Sequence, residues 1–311
     1  MKNKISIGVD VGGSHISCAA YNLNNRSIIA DSISEISLNN QGSKEEIVSA
    51  FGGLLRSCIA KINADELVGI GIAMPGPFDY VNGIALLTGE NAKFQNLYKE
   101  NLRLAIQKNL AWEDLPIRFI NDATAFAIGE YFSGELKEAK HSLAITLGTG
   151  LGSAFLSEGI PVITEDTVPK NGCIWHLPFE SGIADDYFST RGLINRFFDR
   201  TGIKTSGVKE IASLSKENKE AKELFMDFGE KLAVFLSPWI TKFNVEAIVF
   251  GGNISKASYL FDHAMNEKFS EYHFKLKVKY STLQETAAFV GGAQLLDEEF
   301  WLLVKSQLQH M

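Results

Sequence analysis

Asn121 and Asp122 stand side by side where the apolar run PIRFI gives way to the alanine-rich segment ATAFAIGEYF. Two roles suit this pair. Asn and Asp both accept hydrogen bonds from the free N–H groups of a first helical turn, so they can cap a helix. A carboxylate at the carboxyl end of a strand can also serve as a general base, because open α/β sheets bind their ligands there. Three glycine turns offer a second kind of chemistry. VDVGGSH carries Asp10, Gly12, Gly13 and Ser14; TLGTGLGS carries Gly148, Thr149 and Gly150; VFGGN carries Gly251, Gly252 and Asn253. Rows of backbone N–H groups in such turns can hold an anion, and glycine lets the backbone come close to it. Asp10 beside such a turn is placed to hold Mg2+, mostly through water. The Thr149 hydroxyl can bond a phosphate oxygen, and Gly251-Gly252 leaves room for a flat base or ribose. Neither common nucleotide loop is present. Ser153 stands where G-x-G-x-x-G needs its third glycine, and no G-x-x-x-x-G-K-[ST] occurs. Each turn taken alone also fits a plain tight hairpin.

The elements that must position these residues read as α/β. ISIGVDVGGSHISCAAYNL alternates as strand, glycine turn, strand, and NRSIIADSISEI as a third strand. KEEIVSAFGGLLRSCIAKI places Ile47, Phe51, Leu54, Leu55, Cys58, Ile59 and Ile62 at helical spacing. LVGIGIAM is a buried strand stopped by PGP, NLYKENLRLAIQKNL a helix, PIRFI a strand and ATAFAIGEYF a helix. The opening pattern then returns at HSLAITLGTGLGSAFLSEG, which suggests a weak internal duplication. Residues 160–192 read as a long functional loop region. VEAIVFGGN and FKLKVKYS are strands, SYLFDHAMNEKF a helix, and ETAAFVGGAQLLDEEFWLLVKSQ one closing helix.

Composition narrows the class. The chain has 311 residues, 45% hydrophobic and 22% charged, enough for two cores of ordinary size. A net charge of −7 without a basic block argues against nucleic acid as partner. Cys18, Cys58 and Cys173 are odd in number and far apart, which fits a reducing compartment rather than a disulfide framework. No signal peptide pattern or membrane-spanning run is legible, so a cytoplasmic protein is expected.

VDVGGSH, LGTGLGS and VFGGN together resemble the phosphate-1, phosphate-2 and adenosine motifs of the actin, Hsp70 and sugar-kinase superfamily. Within it, GIGIAMPGPFDYVNG followed by FINDATAFAIGE is similar to the ROK family of sugar kinases and related repressors, over nearly the whole chain. The resemblance implies an α/β fold of two ribonuclease H-like (actin-like ATPase) domains flanking an interdomain cleft, 1–120 plus 291–311 and 121–290. It implies a glucokinase-like, homodimeric hexose kinase using ATP and Mg2+. Asp122 is then the general base. Gly76 of the PGPFD loop, Asn121, His176 and Asp185 meet the sugar. Asp10, Gly12, Gly13, Ser14, Gly148, Thr149, Gly150, Gly251, Gly252 and Asn253 meet the nucleotide, with Asp10 on the metal.

Departures from the family pattern fall in GCIWHLPFESGIADDYFSTRGL. Family members carry G-E-x-x-H and C-x-C-G-x-x-G-C-x-E here. His176 matches the histidine, Cys173 replaces the first glutamate, and Asp185 falls on the second, where a helix N-terminus is its other reading. The zinc cysteines are missing, so no zinc site is expected. His15 replaces the more familiar residue after GG-Ser. Repressors of the family carry a winged helix before the first glycine turn. The turn here starts at residue 10, so a kinase is expected rather than a transcription factor. Cys173 leaves one alternative, a catalytically weak or inactive sugar- or nucleotide-binding protein of the same fold.

Overall fold

The computed structural model describes residues 3–88 and 93–311. The chain divides into two compact units, residues 1–137 with 159–161 and 285–311, and residues 138–158 with 162–284. In the first, β1 (Ile5–Val11) and β2 (His15–Asn22) form an antiparallel hairpin. β3 (Ser34–Ser37) pairs with β2, while β4 (Leu67–Met74) and β5 (Ile117–Asn121) extend the sheet in parallel beyond β1. The expected third strand is split, because a short 3-10 turn at Ala30–Ser32 interrupts it. α1 (Lys44–Ile59) starts at a capping box: the Glu46 N–H donates to Ser43 Oγ at 3.2 Å and the Ser43 N–H to Glu46 Oε2 at 2.8 Å. Its apolar face buries Ile47, Phe51, Leu54, Leu55 and Cys58. α2 (Leu102–Leu110) is shorter than its sequence pattern, since Asn101 caps it through the Leu104 N–H. α3 (Asp122–Ser133) follows β5 directly.

The second unit repeats the plan. β6 (His141–Leu147) and β7 (Leu151–Ser157) form a hairpin, and β8 (Ala247–Gly251) and β9 (Lys277–Tyr280) add in parallel beyond β6. Both sheets therefore run hairpin strand, first strand, parallel strand, parallel strand. This shared order supports the duplication read from the glycine turns. The unit's helices are α4 (Ala184–Phe188), α5 (Thr190–Thr201), α6 (Val208–Leu214), α7 (Lys219–Phe243) and α8 (Asp262–Glu271). Leu224, Phe225, Phe228, Leu232 and Leu236 of α7 share a core with Phe188, Phe250 and Phe261.

The chain returns to the first unit as α9 (Thr286–Gln294) and α10 (Glu298–Val304). The single closing helix of the sequence reading is thus two. Asp297 caps the second by accepting the Phe300 N–H at 3.0 Å. α9 lies on the sheet and on α3 at backbone distance. A Cβ on Gly8 would overlap the Phe289 backbone, on Gly71 the Gly292 backbone, on Gly129 the Ala287 backbone and on Gly291 the Ala125 backbone. This close packing keeps α3 in the first unit, which runs on to residue 137 where the sequence reading divided at 120, and regains the chain at 285 rather than 291. Among the described residues, no helix is long and apolar enough to cross a membrane.

Candidate active site

Three parallel strands of the first unit end at one edge. Register pairs Asp10 of β1 with Ala73 of β4, and Met74 of β4 with Asn121 of β5. The Gly12-Gly13 turn, the Pro75-Gly76-Pro77 loop and the start of α3 therefore leave from neighbouring strand ends, the usual place for ligands in such sheets. The first turn closes with the Gly12 N–H donating to the His15 carbonyl at 3.0 Å, and the Asn40 amide donates to the Gly13 carbonyl. Gly12, Gly13 and Asp10 are half-buried, while Ser14 and Gly76 are exposed.

Asn121 takes the cap and Asp122 the first helical position. Asn121 Oδ1 accepts the Thr124 N–H at 3.2 Å. Its amide donates to Asp122 Oδ1 at 3.0 Å and reaches the Tyr80 hydroxyl at 3.4 Å. Tyr80 is in turn tied to the Met74 carbonyl at 3.0 Å. Asp122 Oδ1 also accepts the Ala123 N–H at 2.9 Å. The bonds from Asn121 and Ala123 both fall on Oδ1, and the backbone N–H of Asp122 itself also favours the ionised carboxylate. Both readings of the pair thus fit one geometry, with one residue capping and its neighbour presenting a carboxylate.

Burial raises the Asp122 carboxyl above the usual carboxylate range, against the lowering pull of the Ala123 N–H, Lys93 and Asn121. Asp10 is pushed up to about 7, first by burial, then by the charges of Asp122 and Glu285, with the Val11 N–H opposing. Asp10 therefore feels the charges of Asp122 and Glu285, and Asp122 feels that of Lys93. The sequence reading named none of Lys93, Tyr80 and Glu285 as a site residue. Only Tyr80, three residues past the PGP loop, carried a usable signal.

In the second unit two glycine turns meet. β6 and β8 run parallel, with Thr146 opposite Gly251, so both strands end beside each other. The Gly148 N–H donates to the Gly150 carbonyl at 3.1 Å. Gly252, at φ +81°, passes so close to the Leu147 carbonyl that a Cβ would collide with it. Thr149 and Gly150 are exposed, and exposed Asn253 accepts from Lys256 Nζ at 2.8 Å.

Asp185 spends both oxygens on this unit. Oδ1 accepts the Leu151 N–H at 2.8 Å, just after the glycine turn, and Oδ2 meets Arg191 at 3.2 Å. The Thr190 N–H and hydroxyl both reach the Gly148 carbonyl, at 2.8 and 2.9 Å. Asp186 takes the helix-start role by accepting the Ile183 N–H at 3.1 Å. The Trp175 carbonyl accepts the Asp185 N–H at 2.9 Å, which brings the Cys173–His176 segment alongside. His176 is exposed, edge-on to the Trp175 ring at 5.3 Å. Cys173 is half-buried and its thiol reaches the Asn171 carbonyl at 3.4 Å.

Among the described residues, no cluster of three or more His, Cys, Asp or Glu is arranged to hold a metal. The donors suit Mg2+ in another way. Asp10 is a hard oxygen ligand whose proton affinity is raised first by burial and then by the charges of Asp122 and Glu285, and Mg2+ needs few protein ligands beside water and phosphate.

The ROK family pattern matches residues 6–299, and the chain belongs to that family. A glucokinase from Thermotoga maritima is 26% identical, covering 94% of this chain and 97% of its own. An N-acetyl-D-glucosamine kinase from Vibrio cholerae is 24% identical over 82% of this chain and 86% of its own. The solved structure of a ROK family glucokinase from Streptomyces griseus, in complex with glucose and AMPPNP, superposes with a TM-score of 0.73 at 21% identity, covering 94% of this chain and 98% of that one. The fold is that of the actin-like ATPases, as the sequence motifs led us to expect.

Proposed function

We propose that this protein is an ATP- and Mg2+-dependent hexose kinase, glucokinase-like, that phosphorylates a primary sugar hydroxyl. The observation that carries the reading is the division of labour at residues 121 and 122. Asn121 satisfies the helix start at the carboxyl end of β5, and the Asp122 carboxylate beside it is oriented through Oδ1 by the Asn121 amide and the Ala123 N–H. The kinase and glucokinase names of the relatives support the reaction class.

The steps follow from the residues. Asp122 accepts the proton of the sugar hydroxyl as its oxygen attacks the donor's terminal phosphorus. The new sugar O–P bond forms, the bond to the ADP oxygen breaks, ADP leaves, and Asp122 passes its proton to solvent. Phosphoryl transfer asks mainly for alignment and charge stabilisation, so a base of moderate strength suffices. The raised proton affinity of Asp122 suits that task. The Asn121 amide and Gly76 position the sugar, with His176 as a further contact. Gly12, Gly13 and Ser14 bind phosphate oxygens through backbone N–H groups, as do Gly148, Thr149 and Gly150, while Gly251, Gly252 and Asn253 receive the adenosine. Asp10 would hold Mg2+ through water, and the ion would offset the charge of the phosphates. The family resemblance implies a homodimer, and the odd, scattered cysteines fit a reducing compartment such as the cytoplasm.

A second reading, binding without turnover, draws on two observations. Cys173 replaces an acceptor carboxylate, and both oxygens of Asp185 are engaged within the protein. Sugar-dependent ADP release across a panel of hexoses and N-acetylhexosamines separates the two. Turnover with at least one sugar is expected; sugar and ATP binding without ADP release would establish the second reading.

A further inference from the structure

A phosphate-handling glycine turn is helped by positive charge near it, and the residue after GG-Ser is a histidine rather than a lysine or arginine. His15 folds back instead: a Cβ on Gly12 would lie 3.1 Å from its ring. Lys93 comes from elsewhere. A Cβ on Gly13 would lie 2.6 Å from Lys93 Nζ and 2.9 Å from Cε, so the ammonium rests on the turn itself.

The origin of this side chain is pinned. Phe94, next in sequence, is wholly buried, and its N–H donates to the Asn40 carbonyl at 2.9 Å. Asn40 in turn donates its side-chain amide to the Gly13 carbonyl. The stem of Lys93 is therefore held to the same turn its head rests on. The head itself is exposed and makes no hydrogen bond or ion pair among the described residues. Lys93 also lies close enough to Asp122 for its charge to favour the ionised carboxylate. The Lys93 ammonium thus lies on the Gly12-Gly13 turn and near enough to the candidate base to act on its charge.

We propose that Lys93 binds the terminal phosphoryl group of the nucleotide donor and stabilises the charge on its oxygens during transfer to the sugar. The inference rests on the kinase reading for its catalytic part. An ammonium is suited to the role because it is a compact point charge with three donors on a mobile stem. Removing one such donor from a transferring group commonly lowers kcat by about 100-fold or more.

The test compares wild type with Lys93→Met and Lys93→Arg. Calorimetry measures binding of Mg·AMPPNP and Mg·ADP, which differ by the terminal group. Wild type is expected to bind AMPPNP more tightly than ADP. Lys93→Met should lose most of that difference while keeping ADP affinity, which also reports an intact fold. Lys93→Arg should keep most of it. In turnover, Lys93→Met should lower kcat by about 100-fold with the sugar KM little changed. Equal affinities in wild type, or a difference unchanged in Lys93→Met, would overturn the proposal. Absence of turnover in wild type with any sugar would refute the kinase reading alone, because the AMPPNP-to-ADP comparison still reports whether Lys93 meets the terminal phosphate.

Discussion

The Asn121 amide donates to Asp122 Oδ1 at 3.0 Å while its own carbonyl oxygen accepts the Thr124 N–H at 3.2 Å. One side chain thereby caps α3 and fixes the orientation of the carboxylate beside it. Tyr80, held to the Met74 carbonyl, extends the same network to the end of β4. The candidate base is therefore oriented by two neighbouring strand ends, and its setting depends on the sheet as much as on the helix.

Asp10 bears on stability as well as on function. Its folded-state pKa is raised to about 7 against 3.8 in an ordinary setting. The folded form therefore holds a proton that the unfolded form gives up earlier. The stability linked to this group is complete below the unfolded value and is lost as pH rises through about 7. Asp10→Asn should raise the melting temperature of the ligand-free protein at pH 8, with the gain shrinking toward pH 4. The same variant should bind Mg·ADP more weakly. Melting curves across this pH range check the first part, and a gain that does not vary with pH would contradict it.

The α3–α9 packing gives a paired prediction. Gly291→Ala places a methyl group into the Ala125 backbone, and Gly129→Ala into that of Ala287. Backbone cannot yield as a flexible side chain does, so each should destabilise the first unit by about 3 kcal/mol or more. Gly53, on the exposed face of α1, has nothing within 4 Å of the corresponding methyl position. Gly53→Ala should stabilise by about 0.5–1 kcal/mol through helix propensity alone. Urea unfolding of the three variants measures both signs.

Asp185 separates a sugar contact from a turn brace. Its bond to the Leu151 N–H holds the end of the second glycine turn, so Asp185→Ala should loosen the nucleotide side first. The KM for ATP is expected to rise about tenfold, the size of one lost charge-assisted hydrogen bond, with the sugar KM changing less. A rise confined to the sugar KM would instead make Asp185 a sugar ligand.

Legibility in the sequence followed locality. The hairpins at 5–22 and 141–157 were visible because alternation and glycine turns are local signals. So was the start of α3, where Asn121, Asp122 and an alanine run lie together. The break between α9 and α10 had a signal too, in Asp297-Glu298-Glu299, but the apolar pattern on both sides masked it. Lys93 could not be found this way. It lies in a polar loop without periodicity, and its position depends on Asn40, more than fifty residues earlier. The bond from Asp185 to Leu151 spans 34 residues, so the motif that placed Asp185 in a site could not say which part of it.

Asp122→Asn, assayed beside wild type under single-turnover conditions with saturating ATP, Mg2+ and the preferred hexose, tests the central claim most directly. Asparagine keeps the acceptor for the Ala123 N–H and removes only the base. The account predicts a rate of sugar phosphorylation lowered by about 100- to 10,000-fold, with ATP and sugar affinities within about threefold of wild type. A variant that phosphorylates sugar within about tenfold of the wild-type rate would show that Asp122 is not the base.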